Sequence, residues 1–106
     1  MEYTIGHIQQ LVVVNRIKWN AHATQRMLQR TISRKQVIDT LMCGQIIEEY
    51  PEDYPYPSCL VFGFLFQSNP LHVVCSIGQE SLWIITVYRP DNIKWHNDYK
   101  TRREVK

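Results

Sequence analysis

Histidine and arginine recur at a helical interval within residues 19–32. His22, Arg26 and Arg30 are four apart, so a helix sets them in one row along one edge. Gln25 and Gln29 share that arc, and Ala21, Thr24, Met27 and Leu28 fall on the other, where they can pack. A row of cationic and proton-carrying groups suits an anion, phosphate above all, and Arg34 adds a further positive charge just beyond it. A second set lies far along the chain: His72 within 71–75, and Tyr88 and Arg89 at the end of an apolar run. If the turn at 78–81 joins these runs as a hairpin, His72 falls opposite residue 87 or 88, depending on register.

These residue types fit cleavage of a ribose phosphodiester without a metal. That reaction needs a base for the 2′-hydroxyl proton, cationic donors for the charged pentacoordinate phosphorus and an acid for the leaving 5′-oxygen. His22 and His72 could serve as base and acid, with Arg26 and Arg89 on the phosphate and Arg30 on its neighbour. Arg34 would be a further phosphate contact on the RNA, and Tyr88 would donate a proton or stack on a base. A plain reading stands beside this one: an amphipathic helix with a solvated basic side, and a hydrogen-bonded histidine in a strand. A metal site built from His22, His72 and Cys59 or Cys75 has no supporting ligand spacing, and no metal or cofactor is expected.

The elements that must position these groups follow from periodicity. Residues 3–14 place Ile5, Ile8, Leu11 and Val12 at helical spacing, against the strand preference of the Val12-Val13-Val14 run. An extended link over 16–19 leads to the basic helix, capped by Asn20 and ending near Thr31. Ser33 and Gln36 form a capping-box pattern, Val37, Ile38, Leu41 and Met42 make an apolar stripe, and Gly44 is placed as the stop. The period then changes to that of strands, over 45–50, 58–67, 71–77 and 82–89. The segment 50–57 holds three prolines and cannot join a central ladder. Near the end, Trp95 and Tyr99 are spaced to pin a final helical turn. The fold class is therefore α+β, with N-terminal helices packed on a four-stranded antiparallel sheet.

With 106 residues, 44% of them hydrophobic, the chain suits one domain, 1–106, with a single modest core. The start of the sequence has no signal-peptide pattern, no apolar run is long enough for a bilayer, and three scattered cysteines fit a reducing compartment. A cytoplasmic protein without membrane contact is expected. The net charge of +2 hides segregation: residues 16–35 hold six Lys or Arg and no acid, while 36–91 hold seven acids and one base. Lys94, Lys100, Arg102, Arg103 and Lys106 make the end basic again, so two distant basic segments could meet on one surface.

The order Trp-x-x-His-Ala-x-x-Arg-Met-x-x-Arg-x-Ile-Ser over 19–33 is followed by Ile46-Ile47-Glu48-Glu49-Tyr50-Pro51 and Tyr56-Pro57-Ser58-Cys59-Leu60. Pro70-Leu71-His72-Val73-Val74 and Ile85-Thr86-Val87-Tyr88-Arg89-Pro90 complete the series. Together they resemble the bacterial domain-of-unknown-function family 4258 over roughly residues 16–95. That family is similar to the RelE-like toxins, small metal-independent ribonucleases of toxin–antitoxin systems, with helices packed on an antiparallel sheet. The resemblance implies a RelE-like fold, RNA as substrate and an antitoxin protein as partner, for some members a zinc-ribbon one. The competing reading is a noncatalytic module whose basic helix binds nucleic acid or an acidic protein. Cleavage needs His22 or His72 near the phosphate, whereas simple binding does not.

Overall fold

A computed structural model describes residues 3–65 and 69–103. Three helices precede most of the sheet: α1 (Ile5–Val13), α2 (Ala21–Arg30) and α3 (Arg34–Cys43). Each begins where a side chain satisfies free amide N–H groups at the first turn. Thr4 Oγ1 accepts from the His7 amide while His7 Nδ1 accepts from Thr4 N–H, so His7 is a cap. Asn20 Oδ1 accepts from Ala23 N–H at 2.6 Å. Ser33 and Gln36 close the expected capping box. Thr31 ends α2 in the left-handed region, at φ 55°.

The sheet differs from the expected four antiparallel strands. It has five, in the order β1-β5-β4-β3-β2: β1 (Ile17–Trp19), β2 (Gln45–Tyr50), β3 (Ser58–Leu65), β4 (Asn69–Gly78) and β5 (Ser81–Tyr88). β2 to β5 form an antiparallel meander, and β1 lies parallel to β5 with Ile17 opposite Leu82 and Trp19 opposite Ile84. The link at 16–19 thus covers an edge of β5 that would otherwise leave its amides and carbonyls unpaired. Three residues are too few to show a strand period. Residues 66 and 67 of the expected 58–67 run lie outside the described residues.

The helices cover one face of the sheet. Cys59, Val61, Leu71, Val73, Cys75, Leu82, Ile84 and Val87 meet Ile8, Met27, Val37 and Leu41 there. On α2 the buried stripe is Ala23 and Met27, whereas Leu28, expected to pack, is 79% exposed and Ala21 is exposed too. Ala23 and Met27 are four apart, and the small alanine lets the helix lie close to β5, so spacing outweighs the greater hydropathy of Leu28.

The opposite face carries Leu60, Phe62 and His72, all buried, with Tyr88 beside them. Residues 90–103 lie over it, and Trp95 is only 2% exposed. The expected helical turn does not form: Trp95 pairs with Arg102 as an antiparallel bridge. Aspartates set this path, because Asp91 accepts from the amides of Ile93 and Lys94, and Asp98 from those of Lys100 and Thr101. Among the described residues no helix is long and apolar enough to cross a membrane.

Gly44, between α3 and β2, is required for close approach. A Cβ there would lie 2.6 Å from the Phe62 carbonyl oxygen and closer still to that of Thr40, both backbone atoms that cannot step aside. Gly44→Ala should therefore destabilise the fold by about 1–3 kcal/mol, the usual cost of overpacking, measured by denaturant unfolding.

Candidate functional site

His72 stands opposite Tyr88 across the β4–β5 ladder. Its ring is fully buried, edge-on to Trp95 at 4.5 Å between centroids and to Phe62 at 5.8 Å. Nε2 lies 2.7 Å from the Tyr99 carbonyl, which only accepts, so Nε2 carries a proton. Burial lowers the pKa of His72 from its ordinary 6.5, against the opposing pull of the Tyr99 carbonyl and Glu48, and Arg102 lowers it further. The imidazole is thus neutral, and its Nδ1 lone pair accepts from the Tyr88 hydroxyl at 3.2 Å. Burial, above all, raises the pKa of Tyr88, which keeps that hydroxyl protonated.

Beside Tyr88 two arginines clasp the end of α2 to the end of β5. Arg30 Nη1 donates to the Val87 carbonyl at 2.7 Å, and Arg89 donates to the carbonyls of Arg30 at 2.6 Å and Thr31 at 3.2 Å. Arg89 thereby serves carbonyls at the C-terminal end of α2 that have no partner within the helix. Their partners are neutral, so both guanidinium charges remain uncancelled.

These side chains open on a cleft of about 510 Å³, lined by Arg30, Tyr88, Arg89, Lys94 and Arg102, with Asp91 the single acid among the described residues that line it. Arg102 is held at two points: Nε donates to Glu48 at 2.8 Å, and the guanidinium lies 4.6 Å over the Trp95 ring. Glu48 also accepts from the Tyr50 hydroxyl at 2.6 Å. The Glu48 carboxylate pushes the Arg102 pKa upward, so the guanidinium stays charged.

The structure brings Arg30, His72, Tyr88 and Arg89 together and leaves His22, Arg26 and Arg34 elsewhere. His22 is exposed two turns from Arg30, about 12 Å along the helix, and accepts from Arg26 Nε at 3.5 Å. Arg26 also reaches Gln29, and Arg34 lies 4.9 Å over Trp19. The sheet itself separates His72 from Cys59 and Cys75, which face the helices on its other side. Lys94, Arg102 and Glu48 were not among the expected site residues. The basic composition of the tail signalled the first two, but the Glu48–Arg102 pair spans 54 positions and left no local sign.

The model of a family described as a domain of unknown function, DUF4258, matches residues 19–89. The chain belongs to the DUF4258 family. Its matched span holds His22, the arginine clasp, His72 and Tyr88, while α1 and the tail with Lys94, Trp95 and Arg102 lie beyond it. No curated protein and no solved structure matches the chain.

Because this DUF4258 chain keeps His72 neutral when folded, its unfolded state binds more protons below the ordinary histidine range. The stability that His72 contributes is present above about pH 6.5 and is lost as pH falls toward its lower folded value. Unfolding free energy measured between pH 7.5 and 5, roughly the span over which histidine titrates, should fall for the wild type. The slope should be shallower for His72→Gln.

Proposed function

We propose that this DUF4258 chain binds RNA in the Arg30–Arg102 cleft and cleaves it by metal-independent attack of the 2′-hydroxyl, as a RelE-like toxin of a bacterial type II toxin–antitoxin pair. The observation that carries the reading is the grouping of four cations around one tyrosine hydroxyl that is backed by a neutral imidazole. The motif order over 19–90 supports the toxin assignment, with a cytoplasmic setting and an antitoxin partner, for some members a zinc-ribbon protein, following from that resemblance.

The Tyr88 oxygen takes the 2′-hydroxyl proton while its own proton passes to His72 Nδ1, and the Tyr99 carbonyl stabilises the resulting imidazolium through Nε2–H. The 2′-oxygen attacks phosphorus, forming a 2′,3′-cyclic phosphate as the bond to the 5′-oxygen breaks. Arg30, Arg89 and Arg102 oppose the charge on the pentacoordinate phosphorus. Lys94 donates the proton that the leaving 5′-oxygen needs, and return of the His72 proton through Tyr88 to solvent, with reprotonation of Lys94, resets the site. His22, Arg26 and Arg34 act as phosphate contacts for the strand outside the cleft.

A noncatalytic RNA-binding module is the second reading, favoured by one observation: among the described residues no exposed imidazole lines the cleft. The two readings separate in one series of assays. The phosphate in the cleft and those at Arg26 and Arg34 give single-stranded RNA binding a log–log salt slope of about −2.1, at −0.7 for each. Cleavage should persist in excess chelator and leave a 2′,3′-cyclic end, and Tyr88→Phe should slow it about 10²- to 10⁴-fold with little change in binding. Salt-dependent binding without cleavage would leave the module, and a flat salt response would remove both.

A further inference from the structure

A second cavity, of about 480 Å³, opens near the other end of β5, lined by Asp53, Tyr54, Tyr56, Gln79 and Trp83. Its character is opposite to that of the cleft, for it has three aromatic rings, a carboxylate and the two amides of Asn20 and Gln79, and among the described residues no cation lines it. The walls are held in place. Tyr56 lies against bare backbone at Gly78, where a Cβ would overlap its ring, and Trp83 Nε1 donates to the Gly78 carbonyl at 3.0 Å. Asp53 accepts from the Ser58 hydroxyl, which fixes its carboxylate near the rings. Tyr54, in contrast, is 95% exposed, so the protein leaves almost all of its ring surface uncovered.

An exposed aromatic beside fixed aromatic walls, with hydrogen-bonding groups at the margin, is the chemistry that takes an unstacked nucleobase. The carboxylate selects among bases. It accepts from paired N–H donors, which guanine presents at N1 and its 2-amino group, whereas adenine would turn the N1 lone pair toward it. Five positions of β5 separate Trp83 from Tyr88, about 16 Å at the usual strand rise. A single strand covers that in about five nucleotides at a stacked rise of 3.4 Å, and in fewer when extended.

We propose that the Tyr54–Tyr56–Trp83–Asp53 cavity is a specificity pocket that receives a guanine base of the RNA strand whose backbone lies in the cationic cleft. The pocket rests on the RNA reading for its substrate but uses none of the cleft's residues.

The test uses the full chain and short 2′-O-methyl oligonucleotides, which cannot be cleaved, carrying guanine, adenine or an abasic unit at each position in turn. At one position guanine should bind about tenfold more tightly than the abasic unit, within the range for one stacked base. Tyr54→Ala should remove that gain while leaving the salt slope and melting temperature unchanged, because the side chain is exposed. Asp53→Asn, which can both donate and accept, should narrow the preference of guanine over adenine. Guanosine monophosphate should quench tryptophan fluorescence in the wild type but not in Trp83→Phe. Salt-dependent binding that ignores base identity at every position would overturn the pocket and leave the cleft standing. No binding of any oligonucleotide would overturn both. Quenching by arginine amide and not by the nucleotide would overturn the guanine assignment in favour of a cation site.

Discussion

One extra residue in β5 decides what the outer face of the sheet can do. From the turn at Gly78 and Ser81 the ladder runs in regular register as far as Cys75 opposite Ile84, and then Val74 stands opposite Thr86. Continued without that bulge, the ladder would set His72 against Val87, a core residue facing the helices. The slip instead brings Tyr88 level with His72 and returns Val87 to the helical side. A single irregularity thus keeps the core apolar and aligns a hydroxyl with an imidazole.

That alignment lets the tail dock. Neutral His72 offers one donor and one acceptor, and the Tyr99 carbonyl and Tyr88 hydroxyl take one each. In the resting protein a protonated ring would donate from both nitrogens and bury a charge beneath Trp95. The neutral state therefore fastens residues 90–103 to the sheet, and with them Lys94 and Arg102 reach the cleft. Glu48 completes the attachment from β2, where one carboxylate meets Tyr50 with one oxygen and Arg102 with the other. β2, β4, β5 and the tail all contribute to one small region.

Local signals were read well wherever one residue type answers one backbone need. Ser33 with Gln36, Asn20 and Gly44 marked helix ends, because free amides and a close approach demand those side chains or the lack of one. The hairpin turn and the choice between residues 87 and 88 opposite His72 were also legible, but the bulge that settles it was not, since Ile85 looks like any strand residue. β1 was too short to carry a period. The tail departs from its sequence pattern, because Trp95 and Tyr99 are spaced as in a helix, while Asp91 and Asp98, which turn the chain locally, outweigh that spacing. On α2 the spacing sets His22, Arg26 and Arg30 in one row, but only Arg30 lines the cleft, held there by a clasp made with backbone carbonyls that no local pattern signals.

The clasp also explains why the cleft remains positive despite its dense bonding. A cation paired with a carboxylate loses most of its field, as for Lys35 with Asp39 on α3. Arg30 and Arg89 bond carbonyls, which orient the guanidinium groups without neutralising them. Four cations then face two carboxylates, Glu48 and Asp91, and the excess charge is concentrated at one end of β5. At the other end the aromatic cavity and Asp53 carry the opposite sign. The charge on this face therefore runs from positive at the Tyr88 end to negative at the Asp53 end, and an anion approaching it is drawn to the Tyr88 end first.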